Sequence, residues 1–313
     1  MTNETISRRR AVQFIGATTG MAMIPKSNNL AAEANKKNNF TYCLNMATIR
    51  GHQLGFVKEL QTAAAAGFHS VEIWIDTWQE YLTKGGSIAD AKKLVDDLGI
   101  KIEDCIAFHE WMVDDEPART KALDQMKKDM DAMAQLGCKR IAATGKGTTA
   151  ATVPNLKVIA ERYRTILELG DACGVVPQIE MWGFQKNLSN VAEVMYAALE
   201  SRHPSARVLL DVYHLYRGNT SLDTLHLINP QAVDILHMND YPAGFDHEKI
   251  TDADRIYPGD GIAPLKQILT TLHRHDQPLV LSVEVFNKAY YAQDALLVAK
   301  AAFNKLKAVA ETV

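Results

Sequence analysis

Four short apolar runs in the second half of the chain each end on a residue that can hold a cation. Pro177-Gln178-Ile179 leads to Glu180, Val208-Leu209-Leu210 to Asp211, Asp234-Ile235-Leu236 to His237, and Leu281-Ser282-Val283 to Glu284. Runs of this length and composition suit buried parallel strands. A charged side chain at the end of such a strand is costly unless something neutralises it. Four such endings in succession predict one place where strand ends converge, with a divalent metal at the C-terminal mouth of a (β/α)8 TIM barrel.

The rest of the sequence fits that architecture. Ala66-Gly67-Phe68, Leu98-Gly99-Ile100, Leu136-Gly137-Cys138 and Cys173-Gly174-Val175 all read as helix end, glycine, strand start. Glycine there supplies a left-handed helix cap without steric cost. The intervals between these glycines each fit one strand-plus-helix unit. Strands are expected near Thr41–Asn45, Ser70–Trp74, Ile102–Ala107, Arg140–Thr144, Val176–Glu180, Arg207–Asp211, Asp234–His237 and Val280–Glu284. Helices are expected near 54–66, 87–98, 117–136, 155–173, 188–201, 221–228, 264–275 and 290–310. The steps Leu123, Met126, Met130, Met133 and Leu296, Ala299, Phe303, Leu306 place apolar stripes on two of these helices. Eight alternating pairs favour a closed barrel over an open doubly wound sheet, and no glycine-rich nucleotide-binding stretch argues for the latter.

Composition narrows the classes further. A formal net charge of −3 over 313 residues gives no basic face for nucleic acid. No apolar run reaches the ~20 residues needed to span a bilayer. Residues 1–34 read as a removable export signal, with Ser7-Arg8-Arg9-Arg10 as a twin-arginine (Tat-like) n-region and Ala32-Glu33-Ala34 as a cleavage site. The alternative is a basic tail. Residues 35–313 would form the single barrel domain, and the mature protein is expected in the periplasm without stable membrane insertion. Cys43, Cys105, Cys138 and Cys173 form no metal-binding spacing and are expected as free thiols.

Three carboxylates and one imidazole make an oxygen-rich ligand set that suits one manganese, magnesium, cobalt or zinc ion. Four protein ligands on an octahedral ion leave two positions, enough for neighbouring oxygens of a sugar. Such an ion would polarise a carbonyl and stabilise an enediolate. Glu180 and Glu284, approaching from different sides, could take a proton and return one. His109 ends the third strand and either lines the mouth or is structural. Trp74, Trp111 and Trp182 either form a wall for a sugar ring or pack the rim. The segment 241–254 reads as a substrate-selecting lid or a solvated insertion.

These residues carry a resemblance to the xylose-isomerase-like TIM barrels, the sugar isomerase and epimerase superfamily. Its specific pieces are Asp211-Val212-Tyr213-His214, His237-Met238-Asn239-Asp240, Arg255-Ile256-Tyr257-Pro258-Gly259-Asp260-Gly261 and the second-strand stretch Gly67 to Ile73. The resemblance covers roughly residues 40–310. It implies that Glu180, Asp211, His237 and Glu284 bind the metal, with Glu180 and Glu284 also catalytic. It implies that His214 and Arg255 hold substrate oxygens and that Glu72 faces the pocket. Ketose 3-epimerases carry a further glutamate after the fifth-strand ligand, and Met181 to Lys186 contains none. The expectation is therefore an isomerase or epimerase of a small-molecule sugar, keto-sugar or cyclitol, with cleavage of a 3-keto-glycoside or a non-catalytic carbohydrate-binding barrel as alternatives. Family members often associate, so a homo-oligomer is compatible with the chain.

Overall fold

In the computed structural model, residues 39–148, 154–274 and 276–313 are described. The expected leader lies outside them. Eight strands run in the order expected: β1 (Phe40–Asn45), β2 (Ser70–Trp74), β3 (Lys101–Ile106), β4 (Arg140–Ala143), β5 (Val176–Glu180), β6 (Arg207–Asp211), β7 (Val233–Met238) and β8 (Leu279–Val283). All ladders are parallel, and the spatial order is β3-β2-β1-β8-β7-β6-β5-β4. The sheet curls into a nearly closed TIM barrel whose seam lies between β3 and β4. Arg140, opening β4, crosses that seam and donates from Nη1 to the Glu103 carbonyl at 3.3 Å and to Glu103 Oε2 at 3.2 Å.

The side-chain alternation of strands sets what faces inward. Cys43, Ile106, Ala142, Leu209, Ile235 and Val280 meet as a small apolar plug inside the barrel. One inward step further along their strands come Asn45, Asp211, His237 and Ser282, so polar groups cap the plug toward the C-terminal mouth. The larger core lies between strands and helices. Met126, Met130 and Met133 are buried there on the helix Glu116–Gln135, as their spacing predicts.

The structure adds helices the periodicity did not show. Ala47–Arg50, Ile75–Thr83, Val212–Arg217 and Lys288–Tyr291 follow β1, β2, β6 and β8 directly. They are too short or too close to a strand for an apolar stripe to separate from the strand pattern. The segment expected as a helix at 221–228 is a 3-10 helix, Leu222–Leu227. Glu284 lies just past β8 rather than in it. The four cysteines are free thiols, with Cys43, Cys105 and Cys138 buried. No helix among the described residues is long and apolar enough to cross a membrane.

Candidate functional site

The strand ends bring Glu180, Asp211, His237 and Glu284 together at the C-terminal mouth. Asp211, His237 and Glu284 each offer a ligand atom within 4.8 Å of the others, and all three are buried. Around His237 Nδ1, Glu284 Oε2 lies at 3.2 Å, Asp211 Oδ2 at 3.7 Å and Glu180 Oε1 at 3.9 Å. Glu180 stands beside this cluster with Oε2 unpartnered among the described residues, and His237 Nδ1 likewise lacks a hydrogen bond.

Local structure accounts for each placement. Asp211 ends β6 and caps the following helix, where its Oδ1 accepts the His214 N–H at 2.9 Å. That capping geometry fixes the Asp-x-x-His spacing, because a cap side chain bonds the amide of the third helical residue. His237 is held from behind: its Nε2 faces the Glu72 carboxylate at 3.2 Å. A proton on Nε2 leaves Nδ1 free as a ligand, the usual way a carboxylate orients a metal-binding imidazole. Asn45 donates to Glu72 Oε2 and Glu284 Oε1, both at 3.1 Å, and accepts from the Trp74 indole at 2.8 Å. Asn239 donates to both Asp211 oxygens and to the Glu284 carbonyl.

Arg255 supplies the cluster's one guanidinium. Its Nη1 donates to Asp211 Oδ2 at 2.9 Å and Glu284 Oε2 at 2.7 Å, while Nη2 meets Asp252 and, at 3.2 Å, His214 Nε2. It lies between Tyr213 and Phe286. Burial lowers the His214 imidazole to about 3, so the ring is neutral near pH 7. Its Nδ1 accepts the Gly183 N–H at 3.2 Å. Burial raises Glu180 to about 8. Burial also pushes Glu284 upward, but His237 and Arg255 outweigh it and hold the carboxyl at about 2. His237 is itself raised, because Glu284 and Glu72 overcome the effect of burial.

The cavity above the cluster measures about 230 Å³. Its polar side carries Glu180, His214, Asp252, Arg255 and Glu284, and its apolar side carries Trp74, Phe108, Trp182, Phe184 and Phe286. Trp74 and Trp182 therefore both line the mouth. Trp111 does not: it is fully buried and donates to the Thr144 carbonyl.

Two expected substrate contacts lie elsewhere. Glu72 is wholly buried beneath His237 and has no face on the cavity. It pairs in register with Asn45 on β1, and its carboxylate is taken up by His237 and Asn45 rather than by the cavity. His109 turns toward the helix Glu116–Gln135, where Nε2 meets Asp129 Oδ2 at 2.9 Å, and its neighbour Phe108 takes the cavity position. One-residue alternation past β3 accounts for the exchange. Residues 243–249 are largely exposed, and the segment 241–254 is tied to the barrel at points along its length. Tyr216 bonds the Phe245 carbonyl, Tyr213 bonds the Ile250 carbonyl, and Asp252 reaches the cavity.

Asn45, Asn239 and Asp252 are site residues the sequence reading missed. Asn45 ends β1 as the four ligands end their strands, and Asn239 falls one inward step past His237. Both carry the same strand-end signal in an uncharged residue. Asp252 had no comparable signal.

Comparison with known proteins agrees with this fold. The family described as xylose isomerase-like TIM barrel matches residues 60–308. The chain belongs to that family. Among curated relatives, an inosose isomerase of Halalkalibacterium halodurans is 25% identical over 269 residues, covering 82% of this chain and 93% of the relative. An inosose isomerase of Bacillus subtilis is 26% identical over 201 residues, covering 59% and 69%. Among solved structures, the IolI protein with a binding zinc atom superposes with a TM-score of 0.79 at 21% identity, covering 87% of this chain and 99% of that one. A D-psicose 3-epimerase from Clostridium cellulolyticum H10 superposes with a TM-score of 0.67 at 14% identity, covering 86% and 99%.

The donor set of this family member fits a divalent ion. Asp211, His237 and Glu284 would hold it, with Glu180 alongside, and an imidazole with carboxylates suits zinc or manganese. The unpartnered His237 Nδ1 and Glu180 Oε2 are the atoms such an ion would engage.

Proposed function

We propose that the chain is a divalent-metal-dependent isomerase or epimerase of a keto-sugar or keto-cyclitol, working by proton abstraction beside a carbonyl. The observation that carries this reading is the buried meeting of Asp211, His237 and Glu284, with Glu180 beside them, next to a cavity that Glu180 and Glu284 line. The inosose isomerase relatives and the zinc-holding structural neighbour support it. When bound, the ion would polarise the substrate carbonyl and acidify the adjacent C–H; zinc is the ion proposed.

The chain's own residues supply the rest. Glu180 and Glu284 lie in environments that push their acidities apart, the division an acid and base pair needs. A cation in the cluster would draw Glu180 down again, readying it to accept a proton. Neutral His214 presents Nε2 beside Arg255, so an imidazole and a guanidinium together address one substrate oxygen. The aromatic side receives the C–H face of a ring and excludes water.

The test is solvent-deuterium exchange on a panel of inososes, ketoses and keto-glycosides with zinc-loaded protein. Exchange at one carbon, lost on chelation and in Glu180→Gln and Glu284→Gln, is the expected result. Binding without exchange across the panel would instead favour the non-catalytic carbohydrate-binding barrel.

A second reading has one observation in its favour: Met181 to Lys186 carries no second glutamate, and Phe184 takes a cavity position there. Proton abstraction at C2 of a 3-keto-glycoside would form a C1=C2 double bond as the glycosidic C–O bond breaks, with the aglycone leaving as an alcohol after taking a proton. Release of aglycone from a 3-keto-glycoside distinguishes it. The proposal includes export of the chain by the twin-arginine route. A periplasmic product whose N-terminus is Asn35 is the expected finding, and an uncleaved cytoplasmic chain would remove that part.

A further inference from the structure

A second cavity of about 510 Å³ opens on the same face of the barrel, between the segments that follow β1 and β2. Arg50, Gln53, Glu59, Asp76, Glu80 and Lys84 line it. Four of its charges are already matched in two pairs, Arg50 with Asp76 and Lys84 with Glu80. Glu59 is the odd one. It is only 4% exposed, it faces the cavity, and among the described residues its carboxyl has no hydrogen-bond or ion-pair partner. Burial raises it to about 7. Its oxygens keep contact with solvent only through this cavity, so a ligand hydroxyl there can replace water as its partner.

The lining narrows the chemistry. A metal ion is disfavoured: the only cluster with convergent ligand atoms among the described residues is the one at Asp211, His237 and Glu284. An anion would meet three carboxyls. Alternating donors and acceptors on a polar wall instead match neighbouring hydroxyls, which both give and accept hydrogen bonds. The loop also carries backbone strain. Gln53, which lines the cavity, sits at φ 52°, a left-handed conformation that strains a non-glycine residue.

This cavity adjoins the metal site through a stack. The Arg50 guanidinium lies 4.2 Å from the centre of the Trp74 ring, and Trp74 lines the metal-site cavity. Trp74 in turn donates to Asn45, which donates to Glu284. A ligand crossing the Arg50–Trp74 stack would occupy both cavities at once.

We propose that the rim cavity is a second polyol subsite, holding a hydroxyl-rich ring attached to the keto-ring at the metal site, with Glu59 as its buried hydrogen-bonding anchor. The substrate is then a two-ring glycoside rather than a free monosaccharide or cyclitol. The inference rests on the metal-site reading for the position of the first ring, and its test separates the two.

The experiment is calorimetric titration of the zinc-loaded full chain with cellobiose, maltose, trehalose and glucose, repeated with Glu59→Leu, with the exposed-residue variants Glu80→Ala and Lys84→Ala, and with Glu284→Gln. At least one disaccharide should bind about tenfold or more tightly than glucose, roughly the worth of one or two added hydrogen bonds. The rim variants should remove that advantage and leave glucose unchanged. Glu80→Ala and Lys84→Ala keep the result readable if Glu59→Leu fails to fold. Retention of the rim effect with no response to Glu284→Gln or chelation would sustain the subsite and sink the metal-site reading. Disaccharides binding no better than glucose, or not at all, would overturn the subsite. So would rim variants that weaken both sugars alike, or tight rim-dependent binding of 1,3-diaminopropane without sugar preference.

Discussion

At the residue scale, the site depends on carboxyls whose neighbours decide their role. Glu72 shows this best. It was expected to touch substrate, yet it lies under His237 and faces Nε2 at 3.2 Å. Strand-two position alone could not separate these roles, because both require an inward-facing carboxylate. Glu72→Gln keeps the shape but weakens the acceptor that fixes the imidazole. Zinc affinity, read by chelator competition, should fall about 10- to 100-fold, whereas an unchanged affinity would return Glu72 to a packing role. Glu59 gives a prediction in pH. Its folded value of about 7 stands above the ordinary 4.5, so the folded chain binds more protons than the unfolded chain between those values. The stability it contributes is full below the lower value and lost as pH rises through the upper one. Glu59→Gln cannot ionise, so its stability relative to wild type should climb from pH 4.5 to 7 and then level off. The gain should reach at most about 3 kcal/mol. Urea unfolding at several pH values checks this, and a pH-independent difference would refute the assignment.

Among elements, the segment from β7 to Ala263 explains a motif that the sequence displayed without its reason. Asp240 receives the backbone N–H groups of Tyr241, Gly259, Gly261 and Ala263 at 2.8 to 3.0 Å. A Cβ on Gly261 would strike Tyr241 O and Asp240 Oδ1, and Gly259 sits at φ 85°. The glycines of Arg-x-x-Pro-Gly-x-Gly are therefore the backbone's wrapping around one carboxylate, and the wrapping carries Arg255 to the ligands. Asp240→Ala would leave four amides without that acceptor. It should cost about 2–4 kcal/mol, given the strength of charge-assisted hydrogen bonds. It should also expose residues 241–254 to limited proteolysis. Gly261→Ala should do the same while keeping the charge. Resistance to proteolysis in both variants would show that the segment is held without Asp240, by contacts such as those of Tyr213, Tyr216 and Arg255. The eight strands and the ends bearing Glu180, Asp211, His237 and Glu284 were legible, because buried runs and charged endings are local patterns. The direct strand-following helices, the turn of His109 and the reach of Asp252 were not, because each depends on what packs against it.

For the whole molecule, the ladder order decides which parts can loosen independently. The four ligand-bearing strand ends belong to β5, β6, β7 and β8, which are consecutive neighbours in one continuous ladder. The interruption lies on the far side, between β3 and β4. Arg140 spans it, bonding Glu103 on β3 and Asp234 on β7 near the barrel's N-terminal end. Glu103 is buried and Asp234 nearly so, and removing a cation from such a pair leaves charge uncompensated. Lys101 also reaches Glu103, and Arg207 and Arg274 also reach Asp234, so part of the loss is recovered. Arg140→Met should therefore lower stability by about 2 kcal/mol, below the full cost of breaking a buried ion pair. Hydrogen exchange should accelerate first in β3 and β4, where no ladder bonds resist opening. Zinc affinity should stay within about threefold of wild type, since Arg140 reaches the ligands only indirectly, through the buried Asp104 carboxyl that also feels Glu72 and His237. A large fall in zinc affinity would mean that the seam is mechanically part of the site, and that closure of the barrel, rather than the continuous half of its ladder, positions the ligands.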